Sequence, residues 1–222
     1  MSDVRPQITE LHLNADPGAW AAAGFELDPS RERLRLGSTV LGFDGSTSGK
    51  GGLAAWTLGG VSATDFDGLP TAAAAGAAGA PAEHPNTAFQ IDHLVVFTPD
   101  LERTIAAFEA AGVRCRRIRE VGPPEQQLRQ AFFRFGEVIA EVVQVPADQV
   151  GPDGAARFWG LTVTVTDLDF AVAELGELVG SVRDAVQPGR RIATIRKQAG
   201  LGLPVALITP EPPRQNASAA AD

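Results

Sequence analysis

The 222-residue sequence predicts an α+β fold of paired βαβββ modules, preceded by a divergent N-terminal βαβββ-like module. Three observations carry that reading. The order strand, helix, three strands occurs at 89–146 and again at 157–210. The two copies superpose without a gap through the first strand and the helix start when TPDL at 98–101 is laid on VTDL at 165–168. An Ala, Gly and Pro run at 68–88, with no periodicity able to bury a face, reads as a linker separating them from residues 1–67.

In the N-terminal unit, ITELHLNA reads as a strand and PGAWAAAGF as a short helix stopped by Gly24. RLRLG, TVLGF and LAAWTLGG read as its remaining strands. Its helix is about two turns shorter than the others, so an unrelated β-rich cap fits these residues equally well. In the first full module, FQIDHLVVFT is rich in β-branched and aromatic residues, and Thr98, Pro99 and Asp100 offer a helix cap. Leu101, Ile105 and Phe108 follow at helical spacing and Gly112 ends the helix. VRCRRIREV, AFFRF and VIAEVVQV are the three strands, the last two joined at Gly136 and Glu137. The second module repeats this with FWGLTVTV, a cap at Thr166 and Asp167, the helix DLDFAVAELGELVG, then SVRDAV, RRIATIR and LPVALIT. The tail at 211–222 has no apolar pattern and reads as disordered.

With 44% hydrophobic and 21% charged residues the chain is globular in composition. Nineteen Lys and Arg against 27 Asp and Glu give a net charge of -8, which opposes nucleic acid and anionic membrane as partners. Cys115 is the single cysteine, so an internal disulfide and a Cys-based zinc site are impossible. That fits a reducing cytoplasm, as does a start with neither the order of a signal peptide nor a run of about 18 apolar residues. No serine-hydrolase elbow, zinc-protease helix or dinucleotide fingerprint is present. The GSTSGKG run at 45–51 is one residue short of a phosphate loop and has Gly51 where a hydroxyl is required, so it reads as a hairpin.

Polar residues on apolar strand faces are the candidates for chemistry. His93 alternates with Ile91 and Val95, and Glu141 with Ile139 and Val143; each is a polar group that requires a partner. Burial raises a carboxyl pKa, which makes Glu141 the candidate general base. Phe132 and Arg134, with Gln130, are expected on a ligand-facing wall, and Trp159 beside Gly160 is the tryptophan expected nearest a ligand. Of Arg190 and Arg191 one must approach the sheet interior; Arg191 is taken as the ligand-binding candidate. Trp20 and Trp56 read as core, Arg103 as a surface ion-pair partner, and RCRRIRE as a basic strand edge.

The segments IDHLVVFTPDLERTIAAFEAAG, VIAEVVQV, and WGLTVTVTDLD through PVALIT resemble the vicinal oxygen chelate superfamily, which includes glyoxalase I, bleomycin-resistance proteins and extradiol dioxygenases. HPN at 84–86, FWGLTV and AVQPGRRIATIR resemble a glyoxalase-like actinobacterial family of unknown function. The resemblance implies a half-open barrel whose cavity holds a divalent metal, with ligands from the first and last strand of each module. Carried over, these are His93 and Glu141; in the second module the same positions are Gly160 and Ala206, which have no donor. Two main readings stay open. One is a small-molecule binder with an incomplete metal site. The other is a metal-dependent lyase, isomerase or dioxygenase that recruits His84, or His12 with Glu10, as further ligands. A structural role for the apolar half-barrel, as a subunit interface in a homodimer, is the third.

Overall fold

The computed structural model describes residues 5–45, 51–61, 63–72, 82–123, 127–150 and 154–212. Residues 46–50 of the glycine-serine loop, 73–81 of the linker and 213–222 of the tail lie outside them.

The chain begins with β1 (Gln7–Asn14), α1 (Pro17–Ala22), β2 (Arg33–Leu36), β3 (Thr39–Phe43), β4 (Gly52–Gly59) and β5 (Thr71–Ala72). These strands form a five-stranded sheet in the order β2-β3-β1-β4-β5. It continues with β6 (Ala88–Thr98), α2 (Leu101–Ala110), β7 (Cys115–Val121), β8 (Leu128–Phe135) and β9 (Val138–Gln144). Then come β10 (Arg157–Val165), α3 (Leu168–Leu175), β11 (Arg183–Asp184), β12 (Arg191–Ile195) and β13 (Val205–Ile208). The second set forms one eight-stranded sheet, β11-β12-β13-β10-β6-β9-β8-β7, so the two βαβββ units lie side by side with their first strands adjacent.

The repeat is visible in the pairing. β6 runs parallel to β9, β10 runs parallel to β13, and β6 and β10 are antiparallel. Both helices start at the matched aspartates: the Asp100 carboxylate accepts from the Arg103 N–H, and Asp167 accepts from the Phe170 N–H. α3 stops earlier than its sequence pattern predicts, because Gly176 takes φ 51° and a 3-10 turn follows.

The N-terminal sheet departs from its expected form. LAAWTLGG, read as the last strand of the first unit, forms β4 and pairs antiparallel with β1, as β10 does with β6. β5 then runs parallel to β4, as β13 does to β10. The first unit is therefore one strand short, and β4 with β5 occupy the place of a second, reduced unit. The linker is also more structured than its composition suggests. It supplies β5 and the buried Leu69, and Asn86 clamps α1 by donating from its side chain to the Ala23 carbonyl.

One core joins the two sheets. Trp56 of β4 meets Phe66, Phe135 and Phe158 at ring-centroid distances of 5.3 Å each, and Phe108 of α2 at 5.9 Å. The sheets thus pack their helix-bearing sides toward each other, and the opposite face of each turns away. No helix among the described residues is long and apolar enough to cross a membrane.

Candidate functional site

Alternation along β8 and β9 sorts residues to the two faces of the large sheet. Ala131, Phe133, Phe135, Val138, Ala140 and Val142 enter the core. Gln130, Phe132, Arg134 and Glu141 stand on the helix-free face. On β6 the alternation is broken by a bulge. Thr162 pairs with His93 but Val163 pairs with Ile91, so Asp92 is an extra residue. The bulge keeps Ile91 and Leu94 in the core while Asp92 and His93 meet as neighbours on the helix-free face.

A chain of polar contacts crosses that face. Arg190, only 3% exposed, donates to Asp92 at 2.5 Å and to the Thr209 carbonyl at 2.7 Å. Asp92 Oδ2 lies 2.8 Å from His93 Nδ1. His93 Nε2 lies 3.7 Å from Glu141 Oε2, and Gln130 Nε2 donates to Glu141 Oε1 at 2.6 Å. The Gln130 amide oxygen is buried and has no hydrogen-bond partner among the described residues. Burial pushes the Asp92 carboxyl up, but the hydrogen bonds from His93 and Arg190 outweigh it and hold the group below its ordinary range. Burial pushes the Glu141 carboxyl above its ordinary value, and the opposing influence of Arg119 and the His93 ring does not cancel the shift. An ionised Asp92 requires the proton of the histidine on Nδ1, which leaves Nε2 of neutral His93 with a free lone pair.

The meeting of His93 and Glu141 across two strands is the central sequence expectation, and the two stand together. Phe132 and Arg134 share their face. Arg117 of β7 lies 5.9 Å over the Phe132 ring. Trp159, 41% exposed, stacks on Phe97 at 5.0 Å, with the Arg157 guanidinium 5.2 Å from the Phe97 ring. Arg191 is not brought to this face. It is exposed on the helix side, where it clasps Asp169 of α3 through both terminal nitrogens at 2.9 and 2.8 Å. The inward position belongs to Arg190, because alternation along β12 sends the two arginines to opposite sides. Asp92 is the site residue that the sequence reading did not single out, and Arg190 is the arginine of the pair that it set aside for Arg191; two adjacent polar residues between Ile91 and Leu94 were the signal of a bulge.

The further ligands that a metal site needs do not converge here. The register sets Ala206 opposite Thr162 as Glu141 is set opposite Val95, so the second half has alanine at the carboxylate position. At Gly160 any Cβ would sit 2.7 Å from the Pro204 carbonyl oxygen, so no side chain fits at the histidine position. His84 is a staple: its Nδ1 accepts from the Glu26 N–H at 2.9 Å and its Nε2 lies 2.7 Å from the Arg35 carbonyl. His12 and Glu10 belong to the other sheet. Glu10 pairs with Thr57 as His93 pairs with Thr162, and His12 pairs with Gly42 as Val95 pairs with Glu141. The small sheet thus repeats the site with Glu10 in the histidine place, Gly42 in the carboxylate place, and an Arg33 to Glu10 ion pair between them. A cavity of about 270 Å³ lies there, lined by Glu10, His12 and Arg33 among others, and His12 Nε2 meets Thr57 Oγ1 at 2.8 Å. Among the described residues no three His, Cys, Asp or Glu side chains are arranged to hold a metal ion. With Asp92 engaged by Arg190 and His93, the donors present do not fit the divalent metal that the superfamily resemblance implies.

No protein-family model matches the chain, and no curated protein does. Among solved structures, a variant of 4-hydroxymandelate synthase from Streptomyces coelicolor is 16% identical, with a TM-score of 0.60 over 91% of this chain and 92% of that one. Methylmalonyl-CoA epimerase from Mycobacterium tuberculosis is 19% identical over 57% of this chain and 91% of its own, with a TM-score of 0.45. The first likeness covers 91% of this chain and agrees with the paired βαβββ units and open sheets described above, so this chain has the vicinal oxygen chelate fold.

Proposed function

We propose that the protein binds a small organic molecule on the helix-free face of the large sheet, with no resident metal. The observation that carries this is the buried Gln130 amide oxygen, left without a partner beside Glu141. A buried acceptor without a partner costs about 1–3 kcal/mol, and a ligand donor would recover it once the Gln130 amide turns outward to meet it. The stacked Phe97 and Trp159 offer a flat apolar wall. Arg117, Arg119 and Arg134 line the same face and favour an acidic group on the ligand. A net charge of -8 argues for a metabolite rather than a polyanion as the partner, and a single cysteine fits a cytoplasmic setting.

The test is a thermal-shift screen of aromatic carboxylic acids and their uncharged amides. At about 100 times its Kd a ligand adds roughly 2.7 kcal/mol of stability. The expected outcome is a raised Tm with acids of this class, weakened in Gln130→Ala and in Trp159→Ala. A flat response across the panel, or shifts that survive both substitutions, would refute the reading.

A further inference from the structure

We propose that this face, if it holds a small molecule as above, is a metal-independent proton-transfer centre in which His93 is the base and Glu141 the acid, acting on carbon acids. The proposal rests on the small-molecule reading and adds chemistry to it. Its ground is the mismatch between the donor set and a metal site: the contacts that exclude a third ligand are those that orient a base. Asp92 holds Nδ1 of His93 at 2.8 Å, and Arg190 holds Asp92 at 2.5 Å, so the ring is fixed in the tautomer that points a lone pair outward from Nε2. The carboxylate that faces that nitrogen is Glu141, with Oε2 at 3.7 Å. This is too long for a hydrogen bond that would occupy the lone pair.

The geometry also selects the reaction class. His93 and Glu141 stand side by side on one wall, so they meet neighbouring atoms on one face of a flat ligand. Two groups that invert a single carbon stand on opposite faces of it; two groups side by side on one wall instead reach a C–H and the oxygen of the adjacent carbonyl. In that step Nε2 takes the proton α to a carbonyl, and the C–H electron pair becomes the C=C bond of an enol. The carbonyl π pair moves to oxygen and receives the Glu141 carboxyl proton. Return of the proton from the imidazolium to the Glu141 carboxylate resets the site, and no oxidant, reductant or metal enters the balance. Asp92 and Arg190 act through His93 as positioning residues.

The base can be tested without the natural substrate by using 5-nitrobenzisoxazole, a flat aromatic carbon acid. Loss of its C3 proton to Nε2 turns the C–H pair into the third bond of a nitrile and breaks the N–O bond, releasing a coloured phenolate. Saturable turnover is expected from the intact chain and is unchanged by EDTA. It falls about 100-fold or more in His93→Gln, which retains a donor toward Asp92. Asp92→Asn lowers kcat with KM unchanged, and Arg190→Lys recovers most of what Arg190→Ala loses. His12→Ala, in the other sheet, has no effect. Turnover no faster in the intact chain than in His93→Gln, or abolished by EDTA, overturns the proposal. Quenching of Trp159 fluorescence by the same compound, assigned with Trp159→Phe, reports occupancy separately. Quenching without turnover sinks the proton-transfer proposal alone, whereas absence of both, together with a flat acid screen, sinks the binding reading too.

Discussion

His84 has both ring nitrogens committed, and the commitment has a sign. Nδ1 accepts from the Glu26 N–H while Nε2 donates to the Arg35 carbonyl, so only the neutral ring satisfies both. Burial lowers its pKa, and the carbonyl bond and the Glu26 charge do not restore it. A lowered folded-state value means that the stability contributed is full above about 6.5, the ordinary imidazole value, and is lost as pH falls through the lower folded value. His84→Gln keeps one acceptor and one donor but does not titrate. The Tm of the wild type should therefore drop, relative to that variant, between about pH 7 and about pH 5; a gap that stays constant would show that the ring does not sense protons. The buried Arg190 carries the second prediction at this scale. Asp92→Ala leaves that guanidinium buried without its counter-charge and should cost about 3–5 kcal/mol in denaturant unfolding. Arg191→Ala, which removes a fully solvated pair, should leave the midpoint where it was. Asp92 itself is held below its ordinary pKa, so its share of stability is present above that ordinary value and disappears as pH falls through the lower folded one.

At the scale of elements, strand pairing explains which parts of the fold could be read in advance. The helix starts were legible because TPDL and VTDL each put an aspartate one residue before the first turn, and both aspartates cap. The pairing of His93 with Glu141 was legible because each breaks an apolar face. The bulge at Asp92 was missed because its only mark is the adjacent polar pair between Ile91 and Leu94, a shift in the phase of an alternation that is intact on either side. The assignment of β4 was missed for a related reason. Its apolar pattern fits either flank of β1, and only hydrogen bonding in three dimensions decides which. Gly160 shows how pairing constrains the site. The Pro204 carbonyl accepts from the Leu161 N–H at 3.0 Å, and this places its oxygen where a Cβ at position 160 would stand. Gly160→Ala should therefore destabilise the protein by about 1–3 kcal/mol, because backbone rather than a side-chain tip must yield. Gly160→His, the change that would restore the missing ligand by sequence alone, should unfold more readily still and gain no metal in equilibrium dialysis against zinc. Zinc binding by a stably folded Gly160→His would mean that the β10 to β13 approach is softer than its geometry implies.

One main core lies between the two sheets, their other faces turn outward, the larger one with a small apolar cluster of Val95, Val143 and Val145, and Trp56 is the residue on which the main core depends. This side chain belongs to the small sheet by chain position, yet its neighbours Phe108, Phe135 and Phe158 belong to the large one. The small sheet therefore serves the large one as a cover for its helix side, while in its own counterpart of the site Glu10 is engaged by Arg33. The consequence is that the large sheet, although it contains both complete βαβββ units, is not expected to stand alone. A fragment starting at residue 82 would expose Phe108, Phe133, Phe135 and Phe158 and lose the Trp20 indole bond to the Leu201 carbonyl. Trp56→Ala in the full chain should cost about 3–5 kcal/mol and leave the His93 face folded, because that face lies on the far side of the sheet. The fragment should instead bind hydrophobic dye, lack a cooperative thermal transition and associate in sedimentation. A monomeric fragment that melts cooperatively and retains the Trp159 response to aromatic acids would show that the two sheets are independent folding units joined only by sequence, and the single-core account would then be wrong.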